Sequence, residues 1–535
     1  MKIAKVLALT LFLLLVLTAC GKVTNRTTDY DTTEIVLGDE VIRVDGETVS
    51  EDPAKAVYMA RDIVYYESDK DFTYGEGTEK DAHSKEKADA HTVVHITKAG
   101  NYCISGKLSK GQIAVDLGED AKENPEAKVT LILCGVDITC EVAPAVIFYN
   151  VYECSSADAD KASKDVDTAN AGANVIIADG TVNNVSGAYV EKIYKADTVV
   201  LNEDKTEVED AKKLHKYDAA FYSKMSMNVT GETDGSGTLN ISARNEGLDS
   251  ELHLTINGGN INITSENDGI NTNEDGVSVT TVNGGTLKIT VSGETGEGDG
   301  IDSNGWIVIN GGTVTASACS VSGDAGIDSD MGIHINGGTV IATGNMLDRI
   351  EDGSQNHAVF NFAQKQKGTD TITLKNADGD TLLEHQAVND YSILIYSSPD
   401  LKEGTYTLYS DEKQLAGYSG GTMNMHPGGF KPDGEIPEGV TPPELPEGEE
   451  MPTRPDGTEK GDFPEGQEPQ KGDRYPDGFE PPEGFEPPEG AERPERPEGD
   501  MQRPDNFGEE TGELSAEFKI INGANMFIDV KEYTE

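Results

Sequence analysis

Acidic residues recur at one place in a phrase that is repeated through the middle of the chain. The phrase is Gly, an apolar residue, Asp or Asn, then Ser or Thr, and its third positions are Asp249, Asn271, Asp302 and Asp328. Carboxylate and amide oxygens are the donors that Ca²⁺ prefers, and calcium accepts them in loose geometry. Stacked on one another, such side chains repel unless a cation neutralises them. The phrase therefore predicts calcium binding.

A second acidic row precedes the same phrase, with Asp268, Asp299 and Asp324 as its members, and Asp330 follows the last phrase as a further ligand candidate. Weaker candidates are Asn245, Glu246 and Asn267 in that row, and Glu251, Asn273 and Asn304 at the position of Asp330. The alternative interpretation is that these Asp and Asn side chains cap turns through local hydrogen bonds. Calcium, if bound, could equally serve structure alone.

Aromatic side chains that stack on sugar rings are the second kind of candidate site. Trp306 is the only tryptophan, and its place relative to the nearby Asn-Gly-Gly turn predicts an outward-facing ring. Tyr217 and Tyr222 lie just upstream of the regular repeats and are the other ligand-binding candidates. For all three, packing within the protein is the competing interpretation. Glycan binding through calcium that bridges the protein to the carboxylates of acidic sugars is an equally good interpretation.

A second repeated phrase predicts the strands that carry these residues. Asn-Gly-Gly turns begin at Asn257, Asn283, Asn310 and Asn336, so the spacings are 26, 27 and 26 residues. On both sides of each turn apolar residues alternate with polar ones, which indicates strands. One repeat cannot bury its own apolar face, whereas stacked repeats can. The sequence predicts an all-β, right-handed parallel β-helix (a solenoid), with a β-propeller as the main rival.

Composition excludes one class of partner. The 535 residues carry a formal net charge of −54, so nucleic acid, whose phosphates would be repelled, is not expected as a ligand. Five cysteines, Cys103, Cys134, Cys140, Cys154 and Cys319, match no zinc spacing. Buried thiols and disulfides are both open for them, and the pairing is not predicted.

The N-terminus predicts export. A basic start and an apolar run from Val6 to Leu17 precede Leu17-Thr18-Ala19-Cys20-Gly21, which is similar to the lipobox of bacterial lipoproteins. Residues 1–20 are therefore expected to be a lipoprotein signal peptide, with lipidation of Cys20. Lipid anchoring at the outer face of the cell membrane follows, and an ordinary secretory signal is the alternative.

Prolines divide the remaining chain. Eighteen of the 22 lie between Pro427 and Pro504, in repeats such as Pro-Glu-Gly that cannot build a core. We expect a tether or N-terminal cap over 21–90, the β-helix over 91–426, a disordered acidic Pro/Glu/Gly-rich linker over 427–512, and a strand-turn-strand over 513–535. The linker is interpreted either as a wall-spanning tether or as a solubilising spacer.

From about His91 to Leu408 the chain resembles the carbohydrate-binding β-helix domain of clostridial cell-surface proteins. The resemblance rests on Ile96–Gly106, Gln112–Asp116, Val129–Leu133, Ala178–Gly187, the four Asp-Gly-Ile-Asp-like phrases and Ser397–Lys402. It implies a right-handed parallel β-helix, bound calcium and non-catalytic binding of a plant-wall polysaccharide such as cellulose or pectin. The chain departs from the pattern between Ser156 and Ala171, from Thr198 to Lys213, and in the proline-rich tail.

Three functions follow. The first is non-catalytic, calcium-dependent binding of polysaccharide at the bacterial cell surface. The second is a pectate-type polysaccharide lyase, which needs a Lys or Arg base beside the metal; in the regular repeats the candidates are Arg244, Lys288 and Arg349, and none is clearly aimed at the acidic residues. The third is a structural or adhesive wall protein in which calcium only stiffens the fold.

Overall fold

The computed structural model describes residues 31–351, 353–420 and 510–534. Within these ranges the chain is nearly all β, and most strand pairs in its body are parallel. Residues 1–20 with Cys20, and almost all of the proline-rich 427–512, lie outside the described residues, so the predictions for them stay predictions. No helix in the described ranges is long and apolar enough to cross a membrane.

Strands of successive repeats pair in parallel and form three columns. The first column ends at the Asn-Gly-Gly turns and consists of Thr32–Leu37, Gly100–Leu108, Val129–Thr139, Ala173–Ile177, Met227–Gly231, His253–Ile256, Val279–Val282, Trp306–Ile309 and Gly332–Ile335. The second column follows the turns and consists of the later parts of Gly100–Leu108 and Val129–Thr139, then Val182–Gly187, Thr238–Ala243, Asn260–Ser265, Thr286–Val291, Thr313–Ser317 and Thr339–Gly344.

The third column carries the acidic phrase. Its strands are Thr92–Ile96, Gly111–Asp116, Val146–Asn150, Ala219–Ser223, Glu246–Ser250 and Ile270–Thr272. Single bridges from Ile270 to Ile301 and from Ile301 to Ile327 continue it. The apolar residue of each phrase is fully buried, as the alternation predicts. Parallel pairing between repeats does not fit the rival β-propeller, whose blades are separate four-stranded sheets.

The turn between the first two columns depends on its second glycine. Gly285 has φ +81°, and a Cβ there would lie 2.5 Å from the carbonyl oxygen of Gly259 in the preceding repeat. The neighbouring Asn side chains form a ladder along the stack, with amide hydrogen bonds of 2.9 Å from Asn283 to Asn257 and from Asn310 to Asn283. The turn therefore fixes the distance between repeats as well as the chain direction.

Gly285→Ala is expected to lower the free energy of unfolding by about 2–3 kcal/mol, because it combines a left-handed backbone with a clash against backbone atoms. Gly276→Ala is the matched control, since Gly276 has φ +66° and a Cβ at that position would meet no atom within 4 Å. Denaturant unfolding of both variants separates the clash from the dihedral strain. Equal losses would show that the contact between repeats contributes nothing.

Residues 31–90 belong to the folded body. Thr32–Leu37 pairs in parallel with the strand that begins at Gly100, while Val57–Ala60 pairs antiparallel with Thr92–Ile96. The segment also holds the short strands Arg43–Val44 and Glu47–Thr48 and the helix Lys85–Asp89, which is capped by the Ser84 side chain. Within the described residues this segment caps the first repeats.

The other end of the stack is closed by antiparallel strands. Tyr391–Ser397 pairs antiparallel with Thr339–Gly344, the last strand of the second column. The remaining strands are His357–Gln366, Thr371–Asn376, Thr381–Gln386, Gly404–Ser410, Lys413–Gly420, Glu510–Ser515, Phe518–Ile520 and Ala524–Glu532. They bury a second apolar core, which includes Phe360, Phe518 and Phe527. Phe518–Ile520 and Ala524–Glu532 form a C-terminal strand-turn-strand, and Ala524–Glu532 pairs in parallel with His357–Gln366.

Two insertions lie outside the columns. In one, Val190–Tyr194 pairs antiparallel with Lys213–Tyr217, and the short strands Val200–Leu201 and Val208–Asp210 pair beyond it. In the other, which runs from 156 to 170, the buried Thr168 Oγ1 lies 2.7 Å from both Asn228 Oδ1 and Thr255 Oγ1 on the first column. The 3₁₀ turns Glu119–Glu123, Ala159–Lys161 and Ala196–Thr198 complete the described helical elements.

Candidate functional site

The acidic phrases form the column that the sequence predicts. Asp249 pairs with Asn271 in register, and the bridges between Ile270, Ile301 and Ile327 place Asp302 and Asp328 next in line. Along this column the carboxylates gather into two groups, in each of which one oxygen per residue lies within 4.8 Å of the others. We call them cluster A, with Asp218, Glu246 and Asp249, and cluster B, with Asp299, Asp302 and Asp328.

Cluster A is a group of buried carboxylates. All three carboxylates are buried, and Asp249 has no exposed surface. Asn271 Nδ2 donates to Glu246 Oε1 at 3.2 Å, and Lys216 Nζ lies 3.1 Å from Asp218 Oδ2. The second oxygens, Glu246 Oε2 and Asp249 Oδ2, are buried without a hydrogen-bond partner, as is Asn271 Oδ1. Two unpartnered oxygens in cluster A and a third on its neighbour Asn271 are costly, and a cation would satisfy them.

The electrostatics of cluster A agree with this geometry. Burial raises the pKa of Glu246 well above its usual range, and the charges of Asp218 and Asp249 raise it further. Burial likewise raises the pKa of Asp249, followed by the charges of Glu251 and Asp218. Lys216 offsets part of the burial penalty that raises the pKa of Asp218. Three buried carboxylates beside one ammonium group leave a local charge that matches a divalent cation.

Cluster B lies further along the same column and is less deeply covered. Burial raises the pKa of Asp299 to about 10, with Asp268, Asp328 and Asp302 as the neighbouring charges that add to it. Burial also raises the pKa of Asp328 to about 7, followed by the charges of Asp302 and Asp348. The backbone N–H of Ala325 donates to Asp299 Oδ1 at 2.6 Å and offsets only part of this repulsion.

Of the predicted ligands, Asp324 and Asp330 belong to neither cluster, and Asn271 and Asp268 stand beside clusters A and B. The register that joins Ile301 to Ile327 puts Ala325, not Asp324, opposite Asp299. Asp324 lies one residue earlier, where its Oδ2 accepts from the Gly298 N–H at 2.8 Å and from the Ser322 hydroxyl. Asp330 is exposed and belongs to neither cluster. Asp268 stands beside cluster B, where its Oδ1 accepts from the Asp299 N–H at 2.7 Å.

The structure adds two acidic residues that the repeat pattern did not select, Asp218 and Asp348. Asp218 precedes an irregular strand without the Gly-Ile-Asp phrase, whereas Glu246 is a candidate from the second acidic row. Asp348 accepts from the Ser329 N–H at 3.0 Å next to Asp328. Asp218 reaches cluster A because its neighbour Ala219 pairs with Glu246. Sequence similarity does not predict this pairing, because the strand that contains Ala219 lacks the repeated phrase.

The tyrosine candidates do not offer open ring faces. Tyr217 and Tyr222 are buried, and their ring centroids lie 5.3 Å apart. Tyr149 packs edge-on against Tyr217, and the Tyr222 hydroxyl donates to Glu251. Stacking of a sugar on these two rings therefore does not fit their burial, because they pack against each other instead. Both nevertheless line a cavity beside cluster A.

Trp306 is only partly buried and lies in register between Val279 and Gly332 on the first column. Val308, two residues along on the same face, lines a cavity of about 240 Å³ under the 156–170 insertion. The exposed asparagine ladder forms another side of this cavity. Of the three aromatic candidates, Trp306 is the one that retains an accessible ring.

A second cavity, of about 320 Å³, adjoins cluster A under the hairpin that ends at Tyr217. Four lysines line it, at 122, 213, 216 and 224, together with the carboxylates of Glu153, Glu251 and Glu274. The regular repeats do not predict lysines beside the acidic residues. These lysines come from the insertion and from irregular segments that precede those repeats.

Comparison with known proteins places the chain in a family. The model of the carbohydrate-binding domain-containing protein family matches residues 90–163 and 165–400. This is more than half of the chain, and the protein belongs to that family. One solved structure, the gadolinium derivative of the polysaccharide lyase-like protein from C. thermocellum, matches with 19% identity and a TM-score of 0.33, covering 58% of this chain and 90% of that chain. A search of the curated proteins gives no match.

Proposed function

We propose that this protein binds polysaccharide without cleaving it, on the surface of a bacterial cell, and that calcium held by clusters A and B supports the binding. The membership of residues 90–163 and 165–400 in a carbohydrate-binding family supports the binding of polysaccharide. The three columns are, in this proposal, the three faces of one right-handed parallel β-helix. Parallel crossovers are right-handed in nearly all known cases, which supports that hand.

The fit of calcium rests on the chain's own donor atoms. Cluster A and its neighbour Asn271 offer carboxylate and amide oxygens, of which Glu246 Oε2, Asp249 Oδ2 and Asn271 Oδ1 are buried and unpartnered. Cluster B offers Asp299, Asp302 and Asp328, with Asp268 at its edge. All-oxygen donor sets with several carboxylates are those that Ca²⁺ prefers. When bound, the ion neutralises the carboxylates and can accept a further oxygen from a ligand.

Export and anchoring remain part of the proposal. The lipobox-like Leu17-Thr18-Ala19-Cys20-Gly21 supports lipidation of Cys20 and a position outside the cell membrane. Calcium is abundant in such a compartment relative to the cytosol, and the weaker sites of extracellular modules suit it.

Purified protein tested against cellulose, polygalacturonate and peptidoglycan, with calcium and with chelator, is the deciding experiment. We expect retention by at least one polysaccharide, at least about 10-fold weaker after chelation, with no unsaturated product. Asp249→Asn combined with Glu246→Gln is expected to weaken binding as chelation does, whereas Asp330→Asn, outside both clusters, is the control. No retention by any polysaccharide would leave a structural or adhesive wall protein.

One observation favours the second candidate, a polysaccharide lyase. Lys213, Lys216 and Lys224 line the cavity beside cluster A, so amines of the type that such enzymes use as a base stand next to the acidic residues. Release of unsaturated product from polygalacturonate, lost in Lys224→Gln, would establish this candidate in place of simple binding. Retention without product over the same incubation would dismiss it.

A further inference from the structure

We propose that the cavity of about 320 Å³ beside cluster A binds one acidic sugar residue of a glycan, with the anionic group of the sugar on the ammonium groups of Lys122 and Lys224. The inference rests on the proposed function and deepens it by naming a subsite and the chemical class of sugar that occupies it. Cellular sources of such a residue are a uronate in a polysaccharide and a sugar phosphate in a wall polymer.

The lysines of the cavity differ in how they are neutralised. Lys216 Nζ is 3.1 Å from Asp218, and Lys213 Nζ is 3.8 Å from Glu251. Within the described part of the chain, Lys122 and Lys224 form no ion pair, although both line the same cavity. On a protein with a net charge of −54, two ammonium groups without a carboxylate partner mark a place where an anion is missing.

The surroundings of Lys224 make that place sensitive to charge. Burial lowers the pKa of Lys224, the ammonium groups of Lys122 and Lys213 lower it further, and the carboxylate of Glu251 offsets part of this. An anion between these amines would relieve the repulsion, and partial burial strengthens its hydrogen bonds to them. The anion site is inferred first from geometry, because the side chains of Lys122 and Lys224 line the same cavity. The lowered pKa of Lys224 agrees with it.

The remaining walls suit the rest of a sugar ring. Glu251 and Glu274 offer carboxylate oxygens that accept from hydroxyl groups, and His215, whose Nδ1 lies 2.8 Å from the Tyr217 hydroxyl, adds a further polar edge. A cavity of about 320 Å³ is at the small end of ligand sites, which are roughly 300–1,000 Å³, so it suits one sugar residue better than several. Acceptors next to amines select a ligand that is both anionic and rich in hydroxyl groups.

Three separate parts of the chain build the subsite. Lys122 lies in the turn Glu119–Glu123, Lys224 follows the strand Ala219–Ser223, and Lys213 to Tyr217 belong to the insertion hairpin. The insertion therefore has a function in this account: it roofs the cavity and brings two of its lysines beside cluster A.

The test measures the affinity of the purified protein, in calcium, for trigalacturonate, for a sugar-phosphate wall polymer and for a neutral glucan oligomer. Lys122→Gln combined with Lys224→Gln should weaken binding of the acidic ligand at least about 10-fold, as expected for a lost charge-assisted hydrogen bond. Neutral-glucan affinity and Tm should stay unchanged. Lys288→Gln, on an exposed strand position of the second column, is the control and should change neither affinity.

The acidic ligand whose binding is weakened in the double variant shows whether the anion is a uronate or a sugar phosphate. Equal affinity of the double variant and the unaltered protein for both acidic ligands would overturn the subsite, as would failure of the unaltered protein to bind either of them. Binding of the neutral glucan in those cases would leave the proposed function standing. Failure to bind any glycan would overturn both.

Cys103 and Cys134 carry a second, independent inference. They lie in neighbouring strands of the first column, and their Sγ atoms are 2.7 Å apart. We infer that they form a disulfide that links two repeats. A Cys103 thiolate attacks the disulfide of an oxidant such as glutathione disulfide and releases one glutathione. The Cys134 thiolate then displaces the second, so both protein thiols lose a proton and the oxidant takes up two electrons.

Reduced protein incubated with glutathione disulfide, digested without reduction and analysed by mass spectrometry, tests this directly. We expect a peptide pair linked through Cys103 and Cys134, while Cys140, which is almost fully covered, reacts with neither the oxidant nor an alkylating reagent. Cys103→Ser should leave Cys134 open to alkylation. A stable glutathione adduct at either position, or two unlinked thiols, would overturn the inference.

Discussion

Addition of calcium to the metal-free protein is expected to raise Tm by roughly 5–10 °C, and a chelator is expected to reverse the change. The reason lies in clusters A and B, where buried carboxylates repel one another and three oxygens of cluster A and its neighbour Asn271 lack any partner. An ion that binds only the folded state stabilises it by about 2.7 kcal/mol at a concentration 100 times its Kd. Two such sites correspond to the stated range of Tm. Calorimetry with and without calcium measures it.

Two double variants separate the clusters. Glu246→Gln with Asp249→Asn removes charge from cluster A, and Asp299→Asn with Asp302→Asn removes charge from cluster B. Each double variant should keep about half of the calcium-induced rise in Tm. Without calcium, each should be more stable than the unaltered protein, because repulsion between the carboxylates of the altered cluster is relieved. A Tm that does not respond to calcium in the unaltered protein would contradict the structural role of the ion.

The metal-free protein is expected to lose stability as the pH rises from about 5 to 7. The pKa of Asp299 is about 10 in the folded protein, whereas an unfolded Asp ionises near pH 4. Between these values the folded state holds a proton that the unfolded state has released, so the free energy of unfolding falls with rising pH. The slope for this one group is about 1.4 kcal/mol per pH unit, or roughly 3 kcal/mol over the interval. Asp328, with a folded pKa of about 7, acts in the same direction.

Calcium should remove this dependence, because it binds the ionised carboxylates and competes with protons for them. Thermal unfolding at pH 5, 6 and 7, with chelator and with saturating calcium, gives both slopes. Asp299→Asn should flatten the curve measured in chelator, since the amide does not titrate. Metal-free protein that is equally stable at all three pH values would contradict the strong coupling of cluster B.

Much of the fold is predictable because the Asn-Gly-Gly turns from residue 257 to 338 recur every 26 or 27 residues. The turn asparagines at 257, 283, 310 and 336 fix the stacking register, and the register fixes the column of Asp249, Asn271, Asp302 and Asp328. The positive φ of each turn belongs to its second glycine, such as Gly285.

The parts that the sequence did not predict are those where the period changes. A loop of different length before Gly326 shifts Asp324 by one residue and leaves Ala325 opposite Asp299. Asp218 and the lysines beside it come from an insertion and an irregular strand, to which no periodic argument applies. Tyr217 belongs to that insertion and packs against Tyr222 on the third column, and contacts made by an insertion are not encoded in the repeat pattern.

Direct counting of bound calcium tests whether clusters A and B are the calcium sites. Equilibrium dialysis of the purified protein followed by metal analysis should give two calcium ions per chain, one for each of the two clusters. Each double variant should retain one ion, and the Asp330→Asn control should retain both. Protein that binds no calcium, or that binds it equally well in both double variants, would contradict the assignment of clusters A and B as the calcium sites.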